Sequence, residues 1–245
     1  KDQDLIEIKN KNFLFKVFAH KNDYTVKNGY VSMELLMTKL DPAKSDLYQK
    51  IGNLDGSVNA AVIMPEFTAS AYYQNGFYDY YNSKCDKSCL KVPLVAYYQQ
   101  TSSVESLNVL SVLGYKLIAD STVSKNPEIV KKYDKLIVLH NEYVTQKEFD
   151  AITKHPKVIY LYPNALYAKV RLNSDNSISL IRGHGYPEKT ISNGFSWKYD
   201  NSPMEYNKTC VEMNFTKIDN GIMLNCYPER QILMDQKLLE IIKNY

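Results

Sequence analysis

Two hydrophobic rhythms divide the chain. Up to about residue 56, β-rich stretches such as Phe13-Leu14-Phe15-Lys16-Val17-Phe18 and Tyr30-Val31-Ser32-Met33-Glu34-Leu35-Leu36-Met37 alternate with Asn, Asp and Gly turns, which predicts antiparallel strands. After Asp55-Gly56-Ser57 the pattern becomes short apolar runs separated by helical spacings, the form taken by βαβ units. Residues 60–64 predict a strand, followed by a helix on which Tyr73, Phe77, Tyr80 and Tyr81 recur, ending near Asn82-Ser83. A second strand is expected at 91–97, then a helix carrying Val104, Leu107, Leu110 and Val112 that stops at Gly114, then a third strand at 115–119. A short helix follows Asn126-Pro127. The continuous apolar run 135–139 predicts a strand buried on both faces and therefore central, and the run 157–161 a further buried strand that closes the alternating region at Pro163-Asn164. Between them Thr145 and Glu148 have the spacing of a capping box, with Val144 able to staple onto Phe149. Beyond Val170, turn chemistry at Asn173-Ser174-Asp175-Asn176 and Gly183-His184-Gly185 predicts hairpins. A strand at 221–227 and a helix presenting Leu233, Leu238, Ile241 and Ile242 complete the pattern.

The expected fold class is α/β: an open, mostly parallel sheet with helices on both faces and appended antiparallel strands. Residues 1–56 read as a β-rich segment flanking the main sheet, and 57–245 as the α/β domain, with a hairpin-rich insertion around 171–226. In such a sheet the βα loops emerge at the carboxyl ends of the strands, where ligands bind. Loops 65–73, 140–143 and 163–167 then share one rim and bring Glu66, Thr68, Tyr72, His140, Glu142, Tyr143, Asn164 and Tyr167 to it. His140 and Glu142, two apart in an extended segment, face the same side. They suit metal coordination or divided acid and base work; alternatively Glu142 faces the positive end of the following helix while His140 hydrogen-bonds in the core.

Composition narrows the classes. With 245 residues and 44% hydrophobic content, one main domain with additions can bury a sizeable core. The 30 basic and 27 acidic residues are mixed along the chain, so no basic groove for nucleic acid is expected. No apolar run approaches the roughly 18 residues of a membrane span. The chain begins at Lys1 without a signal pattern and reads as a mature or trimmed chain. Four cysteines fall in two local pairs, Cys85 with Cys89 and Cys210 with Cys226, suiting two disulfides. With the sequons at Asn207 and Asn214, they indicate an oxidising, extracellular or cell-surface location. No second Cys/His pair accompanies Cys85 and Cys89 at zinc-ligand spacing. Neither a Gly-x-Ser-x-Gly elbow nor a cysteine in a strand-to-helix turn is present, and no phosphate-cradling glycine loop offers a nucleotide a seat. Trp197, His20, His155 and His184 read as structural, although the glycines around His184 can carry it to a site.

Four motifs occur in an order that resembles a known family. Thr68-Ala69-Ser70-Ala71-Tyr72 followed by Gly76 comes first, then Leu113-Gly114-Tyr115. Tyr133-Asp134 precedes a strand ending in His140-Asn141-Glu142-Tyr143, and Asn164-Ala165-Leu166-Tyr167-Ala168-Lys169-Val170-Arg171 follows. They resemble the C-terminal domain of the N,N-dimethylformamidase large subunit over residues 57–172, with departures at Tyr73, Leu139, Val144 and Ala168. The resemblance implies a class I glutamine-amidotransferase-like, flavodoxin-like sheet. It also implies hydrolysis of an amide C–N bond at one iron ion held by two tyrosines and a glutamate, beside a histidine. On this chain Glu142 would be the carboxylate ligand, Tyr72 one tyrosine and His140 the neighbouring acid/base, with Thr68, Tyr143, Asn164 and Tyr167 lining the substrate pocket; no motif places the second tyrosine, for which Tyr30 is taken. Two expectations follow: a metal-dependent amide hydrolase, or a non-catalytic surface protein that self-associates or binds envelope proteins through its 21 tyrosines and glycans.

Overall fold

The computed structural model describes residues 4–23, 25–27, 30–32, 36–95, 101–199, 201–206 and 208–245, with the side chains of 25–27 and 30–32 outside the description. The N-terminal elements are strands β1 (Leu5–Ile8), β2 (Lys16–His20), β3 (Thr25–Lys27), β4 (Tyr30–Ser32) and β5 (Leu36–Lys39), then helix α1 (Ser45–Ile51). There follow β6 (Ala60–Met64), α2 (Glu66–Tyr72), α3 (Phe77–Tyr81), β7 (Lys91–Pro93), α4 (Val104–Val112), β8 (Lys116–Ala119) and α5 (Asp120–Lys125). The rest comprises β9 (Lys135–Val138), β10 (Tyr143–Val144), α6 (Gln146–Lys154), β11 (Val158–Tyr160), β12 (Ala168–Leu172), β13 (Ser177–Arg182), β14 (Phe215–Ile218), β15 (Gly221–Leu224) and α7 (Gln236–Asn244).

The chain forms two compact units. The first gathers Lys1–Val58, Glu105–Tyr115 and Glu229–Tyr245. It holds a three-stranded antiparallel sheet in the order β1-β2-β5 and the hairpin β3-β4. Val17 and Ala19 of β2 are buried while their neighbours are less so, the alternation of a sheet covered on one face. Helix α4 ends at Gly114, whose φ of 86° and approach to Asn53, 2.8 Å from where a Cβ would sit, exclude other residues. Asp235 caps α7 by accepting from the Leu238 amide at 2.8 Å.

The second unit, Asn59–Val104 with Lys116–Pro228, is built on a six-stranded sheet ordered β14-β15-β11-β9-β6-β8. Every pairing is parallel except β14 with β15. Strand β9 is buried at all four residues between β11 and β6, the central place its unbroken apolar run predicts. A four-stranded sheet, β10-β12-β13-β7, adjoins it in the same unit, parallel between β10 and β12 and antiparallel elsewhere.

Several expectations change. The strand at 91–97 is observed only as β7, at the edge of the four-stranded sheet rather than in the parallel one, and 96–100 lie outside the described residues. Pro93 has no N–H to give a second neighbour, which suits an edge. The tyrosine-rich helix is two helices, broken where Asn75 takes φ 57° and the Gly76 backbone lies against Ala71 and Tyr73 too closely for a Cβ. The parallel sheet does not close at β11: β15 pairs alongside it, Val158 opposite Gly221. The capping box forms as expected: Thr145 accepts from the Glu148 amide at 3.3 Å, and the Glu148 carboxyl faces back to the Thr145 amide.

Both disulfides form as paired from the sequence, Cys85–Cys89 and Cys210–Cys226. The latter closes a loop of sequence separation 16. Replacing both of its cysteines with alanine is expected to cost about 3 kcal/mol from unfolded-chain entropy, measured as a shift in the urea midpoint. Asn214 is exposed, and Asn207 lies outside the described residues.

Candidate functional site

Because β6, β9 and β11 are adjacent and parallel, the loops leaving their carboxyl ends converge. The loop after β9 is held at every residue. The Asn141 side chain accepts from the Leu139 amide (2.9 Å) and donates to Asp120 Oδ1 (2.6 Å), and its carbonyl accepts from the Leu166 amide (2.8 Å). The His140 amide reaches Ser103 Oγ at 3.2 Å. The Glu142 carbonyl takes the Tyr167 and Ala168 amides, and the Tyr143 amide donates to Thr68 Oγ1 at 3.1 Å.

This frame presents a wholly buried carboxylate, Glu142, to a ring of phenols and imidazoles. Tyr72 Oη donates to Glu142 Oε2 at 2.6 Å, and Tyr78 Oη lies 2.9 Å from Tyr72 Oη and 3.3 Å from Glu142 Oε1. The two tyrosine rings stack at 4.2 Å. His140 Nε2 is 3.6 Å from Glu142 Oε2 and accepts from Asn164 Nδ2 at 3.0 Å, so the neutral ring carries its proton on Nδ1. That Nδ1, like Asn164 Oδ1, is buried without a partner. On the other side His184 Nδ1 is 3.9 Å from Glu142 Oε1 and paired with Glu205 Oε1 at 2.5 Å, while Tyr167 Oη donates to Glu205 Oε2 at 3.1 Å. Gly183 and Gly185, with φ of 111° and 76°, deliver His184 from its loop onto the Tyr81 ring, 4.1 Å away.

A cavity of roughly 890 Å³ opens beside this cluster, lined in part by Tyr80, Tyr81, His184, Gly185, Glu205 and Tyr206; such concavities with a few convergent polar groups are the usual form of a ligand site. A second hollow of roughly 780 Å³ around Tyr133 and Lys154 carries none of these groups.

Burial dominates the charge balance. It raises the Glu142 carboxyl to about 7, against the opposing effects of His184 and the Tyr72 hydrogen bond. It lowers His140 to about 3, so that imidazole is neutral at physiological pH. Burial and then the Glu142 charge push the Tyr72 and Tyr78 phenols well above their ordinary value. The hydrogen bond from His184 holds Glu205 below the usual carboxylate range.

Of the residues expected at the rim, Tyr72, His140, Glu142 and Asn164 gather in the cluster, and Tyr167 joins it through Glu205. The Thr68 hydroxyl is engaged by the backbone. Tyr143 is buried in the core against Phe77, at 5.2 Å, its hydroxyl 3.3 Å from that of Tyr81. Tyr30 has its side chain outside the described residues. Sequence reasoning missed Tyr78 and Glu205. A break before Gly76 would have turned Tyr78 back toward Tyr72; nothing local marks Glu205.

Among the described residues no three His, Cys, Asp or Glu side chains converge as a metal cage, and no helix is long and apolar enough to cross a membrane. No protein-family model matches the chain, and no curated protein matches it.

Proposed function

We propose that the protein is a hydrolase of amide C–N bonds whose site is the Glu142 cluster, with a flavodoxin-like, class I glutamine-amidotransferase-like fold akin to the N,N-dimethylformamidase large subunit. The observation carrying this reading is the meeting of two phenol oxygens and one buried carboxylate within 2.6 to 3.3 Å of one another. Such a set fits a hard cation. Burial and the Glu142 charge keep both phenols protonated unless positive charge enters. Glu142, Tyr72 and Tyr78 would hold the ion. Bound there, ferric iron supplies Lewis acidity toward an amide carbonyl.

The chain's own groups supply the rest. Neutral His140, whose Nε2 accepts from Asn164 and whose Nδ1–H has no partner, lies beside Glu142 as a hydrogen-bond donor. His184, fixed by Glu205, stands between the buried carboxylate and the open cavity, where a small amide would enter. The paired cysteines and exposed Asn214 support an extracellular setting for this activity.

Elemental analysis of natively purified protein is the test. About one equivalent of iron, lost in Tyr72→Phe and Tyr78→Phe, together with turnover of simple amides, is the expected result. Protein that folds, holds no metal and takes up none would overturn the reading.

A further inference from the structure

The capping box of α6 leads to a second group of buried acids, which the proposed chemistry does not use. Asp120 opens α5 and Glu148 lies in the first turn of α6; both are wholly buried. The Asp120 carboxyl accepts from Asn141 Nδ2 at 2.6 Å and from the Phe67 amide at 2.9 Å. The Glu148 carboxyl lies against it as a hydrogen-bonding partner and also faces the Thr145 amide. The titratable groups facing the pair are these two and Glu66 of α2, whose Oε2 accepts from the Ser121 amide at 3.3 Å. The nearby hydroxyls of Ser124 and Thr145 are bonded to each other at 2.7 Å.

Two touching carboxylates in a dry interior faced by a third acid cannot both be ionised. Two N–H donors stabilise the anion on Asp120 and only the Thr145 amide faces the Glu148 carboxyl, so the proton resides on Glu148 and is donated to Asp120. Asp120 in turn grips Asn141, which holds the amides of Leu139 and Leu166 and thereby the backbone on either side of His140.

We propose that Glu148 and Asp120, sharing one proton as a carboxyl–carboxylate pair, fasten the His140–Glu142 loop through Asn141, and that loss of this proton at alkaline pH loosens the loop. Both are positioning residues. The device operates on the backbone whether or not Glu142 holds a cation, so its test needs neither metal nor substrate.

The sign follows from linkage. Burial and the neighbouring charge raise the folded-state pKa of Glu148 well above its ordinary value. The native pair therefore keeps a proton that the unfolded chain gives up above the usual carboxyl range, and stability falls as pH rises. In Glu148→Gln the amide can still donate to Asp120 but cannot titrate. Urea unfolding of the whole chain between pH 5 and 8.5 is expected to show a shallower pH dependence in the variant, the difference approaching tenfold in the folding equilibrium constant per pH unit. Hydrogen exchange at the Leu139 and Leu166 amides, corrected for intrinsic rates, is expected to lose protection with rising pH in the wild type and to stay constant in Glu148→Gln. Glu148→Ala, which leaves Asp120 without its donor, is expected to lose protection at every pH. Parallel stability slopes in wild type and Glu148→Gln overturn the proposal. So does wild-type protection that is constant across this range, which decides the matter alone if the Gln variant fails to fold.

Discussion

Glu142→Gln is expected to stabilise the metal-free protein at pH 8 by roughly 3 kcal/mol while leaving its stability at pH 4.5 nearly unchanged. Burial raises the Glu142 carboxyl to about 7, above its unfolded value. The native state therefore holds a proton that the unfolded chain has released, and the stability this gives is complete below the unfolded pKa and lost as pH rises through 7. Glutamine keeps the hydrogen bond of Tyr72 and never ionises. Urea midpoints at the two pH values measure the effect; a variant destabilised alike at both would mean that the carboxylate is already compensated. On the proposed reading, the same variant takes up no iron. A buried group that lowers stability when ionised is one whose presence stability alone does not explain.

The second large effect is at Asn141. Removing its side chain in Asn141→Ala leaves the buried Leu139 amide without an acceptor and takes from Asp120 one of its two N–H donors. One unsatisfied backbone donor and one lost bond to a buried charge together cost roughly 3–5 kcal/mol, read from chemical unfolding. Asn141→Asp should separate the two causes. It keeps an acceptor for Leu139 but sets another carboxyl against Asp120, so its destabilisation grows between pH 5 and pH 8. A pH-independent deficit would show that the Leu139 bond alone matters.

Much of the site's location was legible because local signals agreed. The apolar run before His140 required a strand buried on both faces, and β9 is central. Thr145 had to begin a helix, and it caps α6. Parallel neighbours then carried Tyr72, Glu142 and Asn164 to one edge. What misled was a periodicity that ran through Tyr73 without registering the backbone constraint at Gly76, and so hid Tyr78.

By itself the sequence determined the mixed α/β class, the central strand before His140, the disulfide pairs and the place of His140 and Glu142, since each rests on interactions within a few residues or on periodicity. Only the tertiary structure decided the chemistry of that place. Glu205 comes 63 positions after Glu142, by subtraction of their numbers, and reaches it through a loop whose path no local pattern encodes. Glu148 reads as a cap and stands also in a buried acid pair. Charge in a protein is set by what surrounds a group in space, and those surroundings here come from six separate segments, carrying Tyr72, Asp120, Glu142, Asn164, His184 and Glu205, that the chain brings together only when folded.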